Sequence, residues 1–342
     1  MLWLWVVAAL VLSGCSTAGY YAQSVRGQME IWRESRSIEK VLADPIVSDD
    51  VKNKLRLALE VREFAVDELG LPDSGSYTEF VDLDRPYVVW SVFVAPELSL
   101  EPEEWCFLVV GCVNYRGYFA KQDALDFAQR YAEQDLDVYV GGVPAYSTLG
   151  WFDDPVPNTI LGYADEDFAG LIIHELAHQA VFAKGDTVFN ESFATTVERI
   201  GVARWLTARG SLSRIGEYQR RKSRDDAIVA MVLDCRDRLE ALYSSDVSDA
   251  NKRTEKRRLI GELKDQYIEN TSKWPAYSGY KHWFDNPINN AQLLSVATYN
   301  DLIPAFDKLL KQHDGDLSRF YEAAGELADM EKSRRRHALD TL

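Results

Sequence analysis

The sequence predicts an α+β chain. A small mixed sheet with a covering helix comes first, followed by a largely helical C-terminal half that contains a long helical hairpin. Three observations carry this. Residues 20–69, and almost everything beyond 165, place apolar residues at helical spacing. Runs rich in β-branched and aromatic residues are confined to 77–142. No internal repeat and no low-complexity linker interrupts the chain.

Residues 1–14 read as an address segment. Leu2 to Leu12 (LWLWVVAALVL) is wholly apolar, too short to span a bilayer and of the right length for the apolar region of a signal peptide. Leu12-Ser13-Gly14-Cys15 resembles the bacterial lipoprotein box. That resemblance implies cleavage before Cys15, a lipid on its sulfur, and a chain anchored to the membrane without crossing it. Ser16 resembles the residues that permit sorting to the outer membrane of Gram-negative bacteria. The expectation is a periplasm-facing lipoprotein of the cell envelope.

Residues 15–75 form an N-terminal helical segment, broken at Asp44-Pro45, restarted by a cap at Ser48 and ended by Gly70 and Pro72. Residues 76–164 form the sheet half. Strand-like runs lie at Tyr77–Leu83, Tyr87–Val94, Trp105–Phe119 and Asp135–Gly142, with a helix over Lys121–Gln134. Cys106 and Cys112 lie in the third run. Residues six apart on a straight strand are about 20 Å apart, so a disulfide there requires a turn, which Gly111 can supply. Cys235 falls on an apolar helical pattern and reads as a buried thiol. From 165 to 342 the chain is helical. Residues 214–267 carry two charged amphipathic stretches around the polar break Ser244–Lys252, read as a solvated antiparallel hairpin that could serve a protein partner.

Composition narrows the function. Of 342 residues, 46% are hydrophobic and 27% charged, with 38 Lys+Arg against 54 Asp+Glu, a net charge of −16. Such a surface repels phosphate backbones and argues against a nucleic-acid partner. Four cysteines are too few for a disulfide scaffold.

One constellation carries chemistry. His174-Glu175-Leu176-Ala177-His178 is an HExxH pattern inside an apolar helical run. Positions i and i+4 share a helix face, so both imidazoles reach one metal. Glu175 is turned about 100° away, beside a metal-bound water and off the metal itself. A catalytic zinc takes three protein ligands and one open position. Asn190-Glu191-Ser192-Phe193-Ala194 opens the next helix, expected to start near Asn190, and offers Glu191 as the third ligand for one Zn²⁺ per chain. Glu198, on the Glu191 face, and Thr195 are the two candidates to hold the free nitrogen of a ligand histidine.

HELAHQ followed by NESFA resembles the motifs of aminopeptidase N-like gluzincins. The whole chain resembles a family of predicted bacterial lipoprotein aminopeptidases. The resemblance covers the lipoprotein box, Cys106–Phe119, Tyr146–Pro155, the metal helix and Asn289–Phe306. It implies a zincin-like, thermolysin-like fold with the site between the two halves, and hydrolysis of a peptide substrate by water. Glu175 would move the water's proton, and Tyr299 would support the oxyanion, with Tyr280 and His282 as rivals. Asp153 and Asp154 are candidates for the substrate's α-amine, and Asp135–Gly142 or Tyr146–Gly150 for strand pairing with it. An envelope endopeptidase, or a non-enzymatic scaffold acting through the hairpin, are the alternatives.

Overall fold

A computed structural model describes residues 19–107, 111–145, 147–274 and 277–342. The lipoprotein box with Cys15, and Tyr146, lie outside these residues. Helix α1 covers residues 19–34. It is followed by β1 (Arg36–Ser37), α2 (Ile38–Ala43) and α3 (Asp49–Asp67). Ser48 caps α3 by accepting the Val51 N–H at 3.4 Å, which answers one of the orphan donors of the first turn.

The third strand-like run is not one strand. It divides into β4 (Trp105–Phe107), β5 (Gly111–Val113) and β6 (Arg116–Tyr118). Gly111, at φ +82°, starts the returning strand, so Cys106 stands opposite Cys112 in an antiparallel pair and the two are disulfide-bonded. A Cβ on Gly111 would lie 2.9 Å from the Gly185 nitrogen. The stapled hairpin therefore rests on the loop that follows the HExxH helix.

Two three-stranded sheets complete this half. One runs β1–β2–β8, with β2 at Glu79–Val81 and β8 at Val156–Pro157, antiparallel then parallel. The other runs β6–β3–β7, with β3 at Val89–Ala95 and β7 at Asp137–Val143. β3 is central and buried throughout. Trp90, Val92 and Val94 face Phe127 and Ala124 of α4 (Lys121–Ala132), while Phe93 and Ala95 meet Ala291 on the opposite face. Period-two alternation between two apolar layers explains why every residue of β3 except Ser91 is apolar. Among the described residues β7 pairs only with β3 and forms a sheet edge.

The C-terminal half is helical. α5 (Asp165–Ala180) and α6 (Thr187–Ala208) pack on each other and on α3 around Phe168, Phe189, Phe193 and Trp205. α6 starts three residues earlier than the sequence suggested. Asp186 accepts the Phe189 N–H at 3.2 Å and caps the helix, so Glu191 sits in its second turn. Asp186 also pairs with buried Arg335 of α13 (Lys332–Asp340).

The hairpin is α7 (Leu212–Tyr243) and α8 (Asp249–Ser272). It is less solvated than its charge suggested. Ile228, Val232, Leu239, Leu259 and Leu263 form a second core with Trp283 and Phe284. α10 (Asn290–Asn300) joins both regions, touching α6, α7 and β3. Among the described residues no helix is long and apolar enough to cross a membrane.

Candidate metal centre

α5 is apolar on nearly every side because it runs through the main core, and its polar residues are therefore the informative ones. His174 and His178 lie one turn apart with ring centroids 5.0 Å apart, both buried. The loop of residues 181–186 turns the chain directly into α6, which brings Glu191 against them. Glu191 Oε2 is 3.3 Å from His174 Nε2 and 3.6 Å from His178 Nε2. The three ligand atoms all lie within 4.8 Å of one another. Tetrahedral ligands at zinc distances of about 2.0–2.1 Å stand about 3.3 Å apart, and the two edges that meet at Glu191 Oε2 come close to that length. His174, His178 and Glu191 could hold a metal ion.

The surroundings orient the first histidine. His174 Nδ1 faces Glu198 Oε2 at 3.3 Å. Glu198 reaches it by crossing α5 at Gly170, where a Cβ would come 3.1 Å from the carboxylate. Its other oxygen accepts from Lys222 Nζ of α7 at 3.2 Å. Thr195 makes no hydrogen bond to either ring. His178 Nδ1 is buried without a partner among the described residues.

Charge follows burial. Burial would lift the Glu191 carboxyl, but the charge of His178 and the hydrogen bonds from both rings hold it at about 2. Burial also opposes Glu198 ionisation, and the Lys222 charge and the His174 hydrogen bond overcome it, again to about 2. Burial disfavours the His174 imidazolium, yet Glu191 and Glu198 raise it to about 10. Two ionised carboxylates around one imidazole thus make a pocket built for positive charge. Glu175 is different. Burial pushes it up to about 7 against the two histidines, the ordinary working range of a general base.

Three tyrosines surround the carboxylates. Tyr299 of α10 has its ring 6.5 Å from that of His174. Burial first, then the charges of Glu191 and Glu175, raise its hydroxyl well above the usual value, so it is a neutral donor. Tyr115, in the turn between β5 and β6, is raised by the same causes. Asn114 beside it bonds Thr298 at 3.1 Å, which ties the two tyrosine-bearing segments together. Tyr77 is buried near Glu175 and Asp154. Tyr280 instead neighbours Asp225, Arg199 and Asp226, and His282 is exposed on α9 (Lys281–Asp285). Neither rival reaches the site. Tyr115 and Lys222 were not singled out from the sequence. Tyr115 was read as part of the strand-like run Trp105–Phe119, and Lys222 as one more charge of a solvated hairpin.

Asp153 and Asp154 have separate environments. Asp153 is exposed and fills the space beside Gly75. Asp154 is buried, accepts the Thr148 N–H at 2.9 Å, and is raised by burial to about 6. Its own N–H donates to Ser76 Oγ, which also accepts from Gln179, the residue after His178. Of the two, only Asp154 adjoins the metal helix and influences Glu175.

A family model described as "Putative aminopeptidase" matches residues 19–339. The chain belongs to this family. No curated protein sequence and no solved structure matches it. The match takes in both histidines, Glu191, the tyrosines and the hairpin.

Proposed function

We propose that this chain is a zinc-dependent aminopeptidase of the gluzincin type. The observation that supports this most directly is the buried cluster of His174, His178 and Glu191, with Glu191 Oε2 3.3 Å and 3.6 Å from the two histidine Nε2 atoms, in a member of an aminopeptidase family. A zinc ion bound there would polarise a peptide carbonyl and supply a nucleophilic water near neutral pH.

The chain's own residues do the rest. Glu175, adjacent to the ligands but not one of them, takes the water's proton and delivers it to the leaving amine. Tyr299 and Tyr115, both neutral donors beside the carboxylates, hydrogen-bond the developing oxyanion. β7 offers an unpaired edge along which an extended peptide can lie. Asp154 receives the substrate's ammonium, because a buried carboxyl near its titration point regains full charge when a cation approaches. Mature protein starts at Cys15, and its lipid holds the enzyme at the periplasmic face of the outer membrane.

The test compares one peptide with a free and with an acetylated amino terminus. A loss of most cleavage on acetylation, together with full inhibition by chelator and recovery with zinc, is the expected result. Equal rates on the two peptides would reject the aminopeptidase in favour of an endopeptidase, and chelator-resistant cleavage would reject the metal.

A further inference from the structure

α1 buries one side and exposes an apolar stripe on another. Ile31 and Gly27 face the protein, while Tyr21, Val25, Met29 and Trp32 are exposed. At 100° per residue these four occupy an arc of about 80°. Met29 is 59% exposed, which no packing against this chain explains. The stripe continues onto a second element. Trp32 meets Phe152 edge-on at 4.5 Å, and the neighbouring Trp151 is 68% exposed. Three turns of a helix and a loop thus present six large apolar side chains to the outside, more than scattered surface residues.

We propose that this face seats on the surface of a phospholipid bilayer. Three features select that occupant. The chain leaves Cys15 only four residues before α1 begins at residue 19, a reach of about 15 Å at most. With a lipid on Cys15, the first turn of α1 lies at the headgroups. The stripe contains Trp and Tyr, side chains that settle at the boundary between headgroups and acyl chains, beside the apolar Met29 and Val25. Arg26 is exposed beside the stripe, turned about 140° from Tyr21, in position for a lipid phosphate, whereas Arg33 is paired with Glu34.

The seating orients the site. Trp151 and Phe152 belong to the loop whose Gly150 faces Gln179 of α5, where an added Cβ would stand 3.8 Å from the Gln179 side chain. The rim of the metal centre therefore stands at the lipid surface, where peptides held at the membrane reach it first. This step rests on the lipid anchor, and the experiment separates the two.

The full chain is mixed with vesicles containing one-third phosphatidylglycerol and brominated acyl chains. Flotation reads the anchor, and bromine quenching of tryptophan emission reads the face. The expected result is flotation with quenching of a fraction of the emission, and loss of that quenching in Trp32→Phe/Trp151→Phe. Protein that floats but is not quenched, or is quenched equally in the double variant, keeps the anchor and overturns the face. Protein that is quenched without lipid on Cys15 keeps the face and overturns the anchor. A dimer in solution that Trp32→Glu/Trp151→Glu dissolves, with no quenching by vesicles, assigns the stripe to a second copy and overturns the proposal.

Discussion

Lys222 Nζ lies 3.2 Å from Glu198 Oε1, and the opposite oxygen of that carboxylate faces His174 Nδ1 at 3.3 Å. A hairpin helix far along the chain thereby sets the orientation of a candidate ligand on α5. The same face of α7 sends Arg214 to Glu166 and Arg221 to Asp167 in the first turn of α5. α7 holds α5 at its first turn directly and near its middle through Glu198.

Removing that tie is expected to loosen the metal. Lys222→Met should lower zinc affinity about 10- to 100-fold, because outer partners fix the angle and basicity of a ligand imidazole. Lys222→Arg should restore most of it. Competition with a chromogenic chelator measures both, and an unchanged affinity in Lys222→Met would show that Glu198 is held without it.

Glu175→Gln is expected to keep one zinc per chain and lose a factor of about 10² to 10⁴ in turnover. Elemental analysis and peptide hydrolysis on the same sample check the two halves. Loss of metal in this variant would make Glu175 a ligand.

Tyr299→Phe and Tyr115→Phe separate the two hydroxyls. The residue that donates to the oxyanion should lose about 10²-fold or more in kcat with little change in KM. The other should change KM or nothing. Full kcat in both variants would remove the tyrosines from the chemistry.

Asp154 makes stability depend on pH. Its carboxyl is raised by burial from 3.8 to about 6, so the fold favours the protonated form. That contribution is complete below about pH 4 and disappears as pH rises through 6, a change of up to about 3 kcal/mol. Asp154→Asn should therefore gain on the wild type in melting temperature between pH 4.5 and 7.5. A constant difference across that range would place the charge in solvent.

Arg335 and Asp186 form a buried pair at the start of α6, where Asp186 also caps the helix. Arg335→Met leaves a buried carboxylate uncompensated and should cost about 3–5 kcal/mol in urea unfolding. Adding Asp186→Asn should return part of it, since the stranded charge is gone even though the pair is not.

Much of this was legible from residue order. The HExxH spacing, the helix from Asp165 and the cap at Ser48 are local facts, set by a 3.6-residue period and by the nearest hydrogen-bond donors. Glu198 was readable as a partner of His174 because it shares a helix face with Glu191. The early start of α6 was not readable in the same way. Asp186 caps it inside a tight loop and leans on Arg335, which stands far off in sequence.

The sequence by itself determined the ligand types, the helices that bear them, the order of a sheet half and a helical half, and the apolar run that precedes Cys15. Only the tertiary structure decided what surrounds them. Tyr115 meets the site because the strand-like run, turned at Gly111 as a disulfide required, turns a second time before Arg116, and Lys222 meets it because α7 reaches α5 and α6. It also showed that the hairpin buries a core of its own, and that Tyr280 and His282 stand elsewhere. The reason is physical. Periodicity and capping act over a few residues and are written in neighbouring positions, whereas a contact between distant segments depends on how whole elements pack, which no single stretch of sequence encodes.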